Sequence, residues 1–375
     1  MTAQYRIHIL GIPHTATHRD YVACAFTQKV HKFLKMMSGR GHTIFHYGHE
    51  SRDWDYPDVV HVDVTNDHVL RAAYGVDYVD QQAWRQKGFA HYFRVEDAAY
   101  AVFHAHAIKE IGLRKQPLDI LLCPFGWGHK AIADAHPDLI AMESGIGYGS
   151  TCLRWKIYES HTIRTAAGGL DAVNQCNQDI YSVVIPNYFD LADFTYQTAK
   201  SNYILYLGRI YSGKGVDIAI EATEKAGKQL IIAGQGSLAE MGYTKTPDHV
   251  REVGYADADL RRFLMSNASA LFIASRYGEP FGGVQIEAML SGTPVISPDY
   301  AAFAEFNRNN LTGIRCRTLR DYVEACDTVQ YLNPIQCRKY AEQFSLDVIA
   351  PEYERYFRDV LAVYTGRGLY ESLFT

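Results

Sequence analysis

Short apolar runs alternate with amphipathic segments along most of the chain. Residues 5–10 form a strand pattern, followed by Gly11-Ile12-Pro13-His14 and by 25–37, where Phe26, Val30, Phe33, Leu34 and Met37 recur at helical spacing. Gly39 and Gly41 stop that helix, and 43–47 reads as a second strand. Further buried-strand runs fall at 119–123, 139–142 and 182–185, alternating with helix patterns such as 95–113. Short apolar strands separated by helices imply a parallel sheet covered on both faces. The second half repeats this with strands at 203–207, 229–233, 270–274 and 293–297, and helices at 216–226, 257–266, 282–290 and 319–330. Periodicity lapses over 186–200, the expected hinge. The pattern 345–364 is one long helix with Tyr353, Tyr356, Phe357, Val360 and Leu361 on a face. The expected fold is α/β, two doubly wound Rossmann-like domains over 1–187 and 188–350, with a tail helix, 351–375, packing back towards the first. In such domains ligands bind at the carboxyl ends of the strands, so the motif-bearing loops are expected to face a central cleft.

Composition agrees with two folded domains. The chain has 375 residues, too many for one typical core, and its 47% hydrophobic and 21% charged residues are those of a globular protein. A formal net charge of −5 argues against a protein that coats nucleic acid. Seven cysteines (Cys24, Cys123, Cys152, Cys176, Cys316, Cys326 and Cys337) contain no Cys-x-x-Cys pair, which fits reduced thiols in a cytoplasm and offers no zinc site. No run of ~18 apolar residues is present to span a bilayer, which leaves a peripheral membrane contact open.

The densest chemistry lies in Glu279-Pro280-Phe281-Gly282-Gly283-Val284-Gln285-Ile286-Glu287. A strand feeding a helix through a glycine-bearing turn leaves backbone N–H groups aimed at the turn, a seat for phosphate. Glu287 lies five residues beyond Gly282, roughly 7 Å along a helix, while Glu279 stays in the loop. Carboxylates beside a diphosphate repel it; they suit neutral polyols such as a ribose and a hexose. Upstream, a strand ends at Gly208, and Arg209 and Lys214 sit in the loop before the next helix. One guanidinium fork and one ammonium can neutralise a diphosphate leaving group. No Walker loop is present, and no Asp-x-Asp metal motif is expected in the chain.

Gly208-Arg209 with Lys214-Gly215, then Gly234-x-Gly236, then Ser275 with Glu279-Pro280-Phe281-Gly282 and Glu287-Ala288, resemble the donor half of the retaining GT-B glycosyltransferases, specifically glycosyltransferase family 4. Ile185-Pro186-Asn187 followed by Asp190 is similar to the segment through which that family enters its second domain. The resemblance implies that Arg209 and Lys214 bind the diphosphate, Glu279 the sugar hydroxyls and Glu287 the ribose. The amides of Phe281, Gly282 and Gly283 would cradle the distal phosphate, and the loops at Gly234 and Tyr255 would border the base.

The first half departs from the family's pattern: relatives have a Gly-Gly pair after the first strand, where this chain has Gly11-Ile12. Gly11 would still permit close approach to the donor. The family carries a histidine near the reacting carbon; His129 and His14 are the candidates here. Glu143 either orients the acceptor or caps a turn, and Lys29 either reaches a phosphate or lies on a helix face. The implied activity is metal-independent, retaining transfer of a sugar from a UDP- or GDP-sugar, with no cofactor, to a glycan, lipid-linked sugar, small molecule or modified nucleic-acid base. A nucleotide-sugar epimerase of the same architecture, or a non-catalytic nucleotide-sugar-binding protein, would use the same cations.

Overall fold

The structure of the protein, a computed structural model, describes residues 4–175 and 181–366. Cys176 and the end of the expected tail segment lie outside the described residues. The chain divides into two units. One holds the chain up to Trp84, Phe89–Tyr188 and the chain from Leu346 onward; the other holds Arg85–Gly88 and Phe189–Ser345.

The first unit is a seven-stranded, wholly parallel sheet of β1 (Arg6–Leu10), β2 (Thr43–His49), β3 (Val59–Thr65), β4 (Ile120–Cys123), β5 (Ile140–Ile146), β6 (Trp155–Tyr158) and β7 (Val183–Val184). Its order is β3-β2-β1-β4-β5-β6-β7, so the winding reverses between β1 and β4. The helix Ala25–Met37 lies where the spacing places it, and its Val30, Phe33, Leu34 and Met37 are buried against Ile7, Ile9, Ile120 and Ile140. The last helix, Leu346–Tyr364, falls on the 345–364 pattern and gives Ile349, Ala350, Tyr353, Phe357 and Val360 to the same core. Arg40 clamps its Glu354 through two hydrogen bonds of 2.7 and 2.9 Å.

The second unit has a six-stranded parallel sheet: β8 (Ile204–Leu207), β9 (Leu230–Ala233), β10 (Val250–Gly254), β11 (Ala270–Phe272), β12 (Val295–Pro298) and β13 (Gly313–Cys316). The order β10-β9-β8-β11-β12-β13 puts its reversal between β8 and β11. Open parallel sheets bind ligands at that reversal, beyond the carboxyl ends of the strands. In this unit those ends carry Gly208 to Gly215 and Ile273 to Gly282. In the first unit they carry Gly11 to His18 and Pro124 to His129. Chain entry and exit are side by side here, with Phe189 bridged to Ser345 and its amide bonded to the Phe344 carbonyl at 2.9 Å.

Lys29 reaches no open phosphate site and lies on no open helix face. It is buried, pairs with Glu159 and donates to the Gly145 carbonyl at 2.9 Å, while the second Glu159 oxygen accepts from Asn187 Nδ2 at 2.8 Å. Burial first, and the charge of Lys32 second, pull the ammonium down to about 7. Replacing Glu159 by Ala strands this cation in the core and is expected to cost about 3–5 kcal/mol. Urea unfolding measures it, and a loss under 1 kcal/mol would show that Lys29 gives up its proton instead of staying buried as a cation.

Candidate functional site

The motif residues of the second unit converge at the β8/β11 reversal. After β8 the chain passes Gly208 and Arg209, makes a 3₁₀ turn at Ser212–Lys214, and enters the helix Val216–Lys225. The Arg209 guanidinium is exposed and stands over the Tyr211 ring, 5.3 Å from its centroid. Its carbonyl accepts from Tyr206 Oη at 2.8 Å, which fixes the backbone while the side chain faces outward. Lys214 crosses to the second loop, pairing with Glu279 and lying 5.1 Å from the Tyr277 ring centroid. Ser275 Oγ donates to the same Glu279 oxygen at 2.7 Å. Arg209, Lys214, Ser275 and Glu279 are thus brought to one edge of one sheet.

The helix Gly283–Leu290 begins at Gly282, whose φ of +69° is the left-handed conformation; a Cβ there would lie 2.6 Å from Phe303 Cε1. Only glycine takes both conditions cheaply. Phe281 turns its ring into the core beside Phe306, 4.6 Å between centroids, leaving only its backbone to face a ligand. The Gln285 amide donates to the Gly282 carbonyl at 3.0 Å, while the amides of Gly283 and Val284 before it have no intrahelical acceptor and carry the positive end of the helix dipole. Glu287 is one turn further on, half-buried, with Oε2 accepting from Arg261 Nη2 at 2.6 Å.

Gly234, after β9, has φ +150°, and a Cβ there would stand 1.9 Å from the Gly208 carbonyl oxygen. The loop expected near the base therefore rests directly on the loop expected near the diphosphate. Tyr255, after β10, has the Arg85 guanidinium 5.4 Å above its ring.

Tyr211, Tyr277 and Tyr300, which the sequence reading did not single out, surround Glu279. The Tyr300 hydroxyl donates to the Ser275 carbonyl, and Tyr277 is hydrogen-bonded to Tyr211. The Tyr277 phenol is pushed up by burial first and by the Glu279 charge second. Two tyrosines two residues from a cation and a carboxylate were the available signal.

In the first unit the candidates are held by the fold itself. The Gly11 amide donates to the Tyr47 carbonyl at 2.7 Å, and a Cβ at Gly11 would meet that oxygen at 3.0 Å. His129 is fully buried: Nε2 donates to the Gly11 carbonyl at 2.9 Å and Nδ1 accepts the Phe125 amide at 3.3 Å. Both ring nitrogens are thereby taken by backbone at the β1/β4 reversal. His14 is stacked on Phe93, 3.8 Å between centroids, with Nδ1 bonded to Tyr100 Oη at 2.9 Å. Burial lowers both imidazoles to about 3. Of the two readings of Glu143, the geometry is that of the cap: its buried carboxylate accepts from Tyr148 Oη at 2.9 Å and from the amides of Cys152 and Leu153 at 2.8 Å each.

The chain does contain two Asp-x-Asp triplets, Asp53-Trp54-Asp55 and Asp257-Ala258-Asp259. Asp53 pairs with Arg19 at 3.1 Å, and Asp257 caps the helix Ala258–Asn267 by accepting the Leu260 amide at 2.9 Å. Among the described residues no group of three His, Cys, Asp or Glu side chains could hold a metal ion.

Two wholly parallel Rossmann-like units with these reversals define the GT-B fold of glycosyltransferases. Solved structures share it: a glycosyltransferase involved in avilamycin A biosynthesis has TM-score 0.68 at 16% identity, covering 96% of this chain and 98% of that one. Sucrose-phosphate synthase from Thermosynechococcus elongatus has TM-score 0.66 at 16% identity, covering 96% and 100%. Residues 193–330 match the family "Glycosyl transferases group 1", so the second unit is a glycosyl transferases group 1 domain. A glycogen synthase of Mycobacterium tuberculosis is 31% identical over 147 residues, 36% of this chain and 35% of that protein. A phosphatidyl-myo-inositol mannosyltransferase of the same organism is 30% identical over 146 residues, 35% and 39%. The matched stretch spans little more than a third of either relative. Among the described residues no helix is long and apolar enough to cross a membrane.

Proposed function

We propose that the protein is a retaining glycosyltransferase that moves a sugar from a UDP- or GDP-sugar to an acceptor hydroxyl without a metal ion. The observation that carries this is the meeting of Arg209, Lys214 and Glu279 beside the start of the Gly283–Leu290 helix, at the β8/β11 reversal. Two cations and a ring of backbone amides complement a diphosphate; Glu279 and Glu287 complement the neutral hydroxyls on either side of it.

In this reading the acceptor hydroxyl attacks the anomeric carbon from the face that the diphosphate leaves, and the departing phosphate oxygen takes the proton. Arg209, Lys214 and the helix amides stabilise the charge that develops on the diphosphate, and Glu279 orients the transferred sugar. The capping role of Glu143 and the backbone bonds at both His129 nitrogens support this reading, in which the leaving-group oxygen and not a side-chain base receives the proton. The relatives' names, glycogen synthase and phosphatidyl-myo-inositol mannosyltransferase, support glycan and lipid-linked acceptors.

A donor panel followed by an acceptor screen tests the proposal. Nucleoside diphosphate should be released on addition of acceptor, and proton NMR of the first product from an α-linked donor should show an α-linkage. Activity should persist in chelator. A β-linked product, or activity lost to chelator and restored by manganese, would overturn the retaining, metal-independent reading.

A further inference from the structure

Glu287 is not alone on its helix. It is gripped by Arg261, from a different helix, Ala258–Asn267, with Nη2 to Oε2 at 2.6 Å and both side chains about four-fifths buried. The other Glu287 oxygen makes no hydrogen bond among the described residues. Arg261 sits in the second turn of a helix that starts just after Tyr255, with its amide bonded to the carbonyl of the capping Asp257 at 2.9 Å. Its neighbour Arg262 is tied elsewhere, to the Asp193 carbonyl at 3.0 Å, so the two arginines are not interchangeable.

We propose that Arg261 is the positioning residue for ribose recognition: it holds one Glu287 oxygen so that the other is presented to the ribose hydroxyls of a nucleoside diphosphate. This rests on the reading of Glu287 as the ribose carboxylate. A glutamate has three side-chain torsions, and a carboxylate that must be ordered on binding loses affinity in proportion to the freedom it gives up. A charge-assisted contact to one oxygen orders it beforehand. Because Arg261 comes from the helix that Tyr255 introduces, the same contact ties the Tyr255 loop, which the proposed site places at the base, to the Glu287 carboxylate.

The test is calorimetric titration of the full chain with UDP and GDP, and then with the 2′-deoxy and 3′-deoxy forms of whichever binds. In the parent protein, removing the hydroxyl that meets Glu287 should weaken binding roughly 10- to 100-fold, the range for a hydrogen bond to a charged group. In Arg261→Gln the ribonucleotide should bind about 10-fold more weakly, while the deoxy form is little changed, so that the ribo-to-deoxy ratio collapses. Arg261→Lys should restore part of that ratio. Weakening of both forms in equal measure in Arg261→Gln would assign the residue a purely structural role and overturn the inference. Tighter binding would make Arg261 a competitor of ribose and overturn it equally. If the parent binds neither UDP nor GDP, the donor reading itself has failed; if it binds ribo and deoxy forms alike, the ribose assignment of Glu287 has failed and this inference falls with it.

Discussion

Glu279→Gln is expected to lower turnover roughly 10- to 1000-fold while leaving affinity for free nucleoside diphosphate nearly untouched, because one charge-assisted contact of ~1.5–3 kcal/mol is tightened in the transition state. In the resting site the Glu279 carboxylate is held by Lys214 and Ser275; a Gln amide oxygen still accepts from both but has no charge to pair with the Lys214 ammonium. Lys214 is then more available to a diphosphate, so any change in nucleotide affinity should be towards tighter binding. Glu287→Gln should behave in the opposite way, weakening free nucleoside diphosphate and donor together, since ribose contacts do not change during reaction. Calorimetry with the free diphosphate beside turnover assays separates the two. If Glu279→Gln loses nucleotide affinity as badly as Glu287→Gln, the carboxylates are not divided between sugar and ribose.

Acid should destabilise the first unit before carboxylates titrate. His14 and His129 are buried as neutral rings with values near 3, burial being the first cause in each case. Unfolded histidine titrates near 6.5, so below that pH the unfolded chain takes protons that the folded chain refuses. Their contribution to stability is whole above about 6.5 and is lost as pH falls from there towards 3. Each group gives a slope that rises to about 1.4 kcal/mol per pH unit below its unfolded value, so the pair removes roughly 3 kcal/mol between pH 6.5 and pH 5. His46, fully buried between Thr17 at 3.0 Å and His61 at 2.8 Å, is lowered in the same direction and adds to the loss. Urea midpoints at pH 7 and pH 5 measure the slope, and His14→Gln should reduce it. A stability that is flat over that interval would mean that these rings charge without leaving the core.

Most strands that could be read from sequence are buried on both faces, the half-buried edge strand β7, expected over 182–185, being an exception. The helix at 25–37 and the strands after 119, 203, 229 and 270 have apolar residues with no competing pattern, and each is present within two residues of its expected limits at the start. The strands that were not read lie towards the sheet margins, where one face is wet. In β3 the sequence Val59-Val60-His61-Val62-Asp63-Val64-Thr65 interleaves charge with valine, and in β10 Arg251 and Glu252 break the run. β13 carries Gly313 and Arg315, and Gly313 is there because a Cβ would sit 2.0 Å from the Val295 carbonyl oxygen. The donor loops were legible because local spacing brings their residues together. Arg261 was not, because its tie to Glu287 spans 26 positions and two helices. Glu143 shows the converse: a carboxylate at a strand end has the same sequence signature whether it meets a substrate or two backbone amides.

Anyone redesigning donor choice in this chain meets two neighbouring glycines with opposite tolerances. At Gly208 an added methyl group would touch no protein atom within 4 Å, but it would stand on the loop proposed to hold the diphosphate. At Gly234 it would overlap the Gly208 carbonyl, and no rotamer change can relieve a clash with backbone. A library randomised at both positions and selected for folding alone should therefore diversify at 208 and return a single residue at 234, while selection for donor binding should narrow 208 as well. The strand ends around that contact form a floor that can be decorated from one side and not rebuilt from the other.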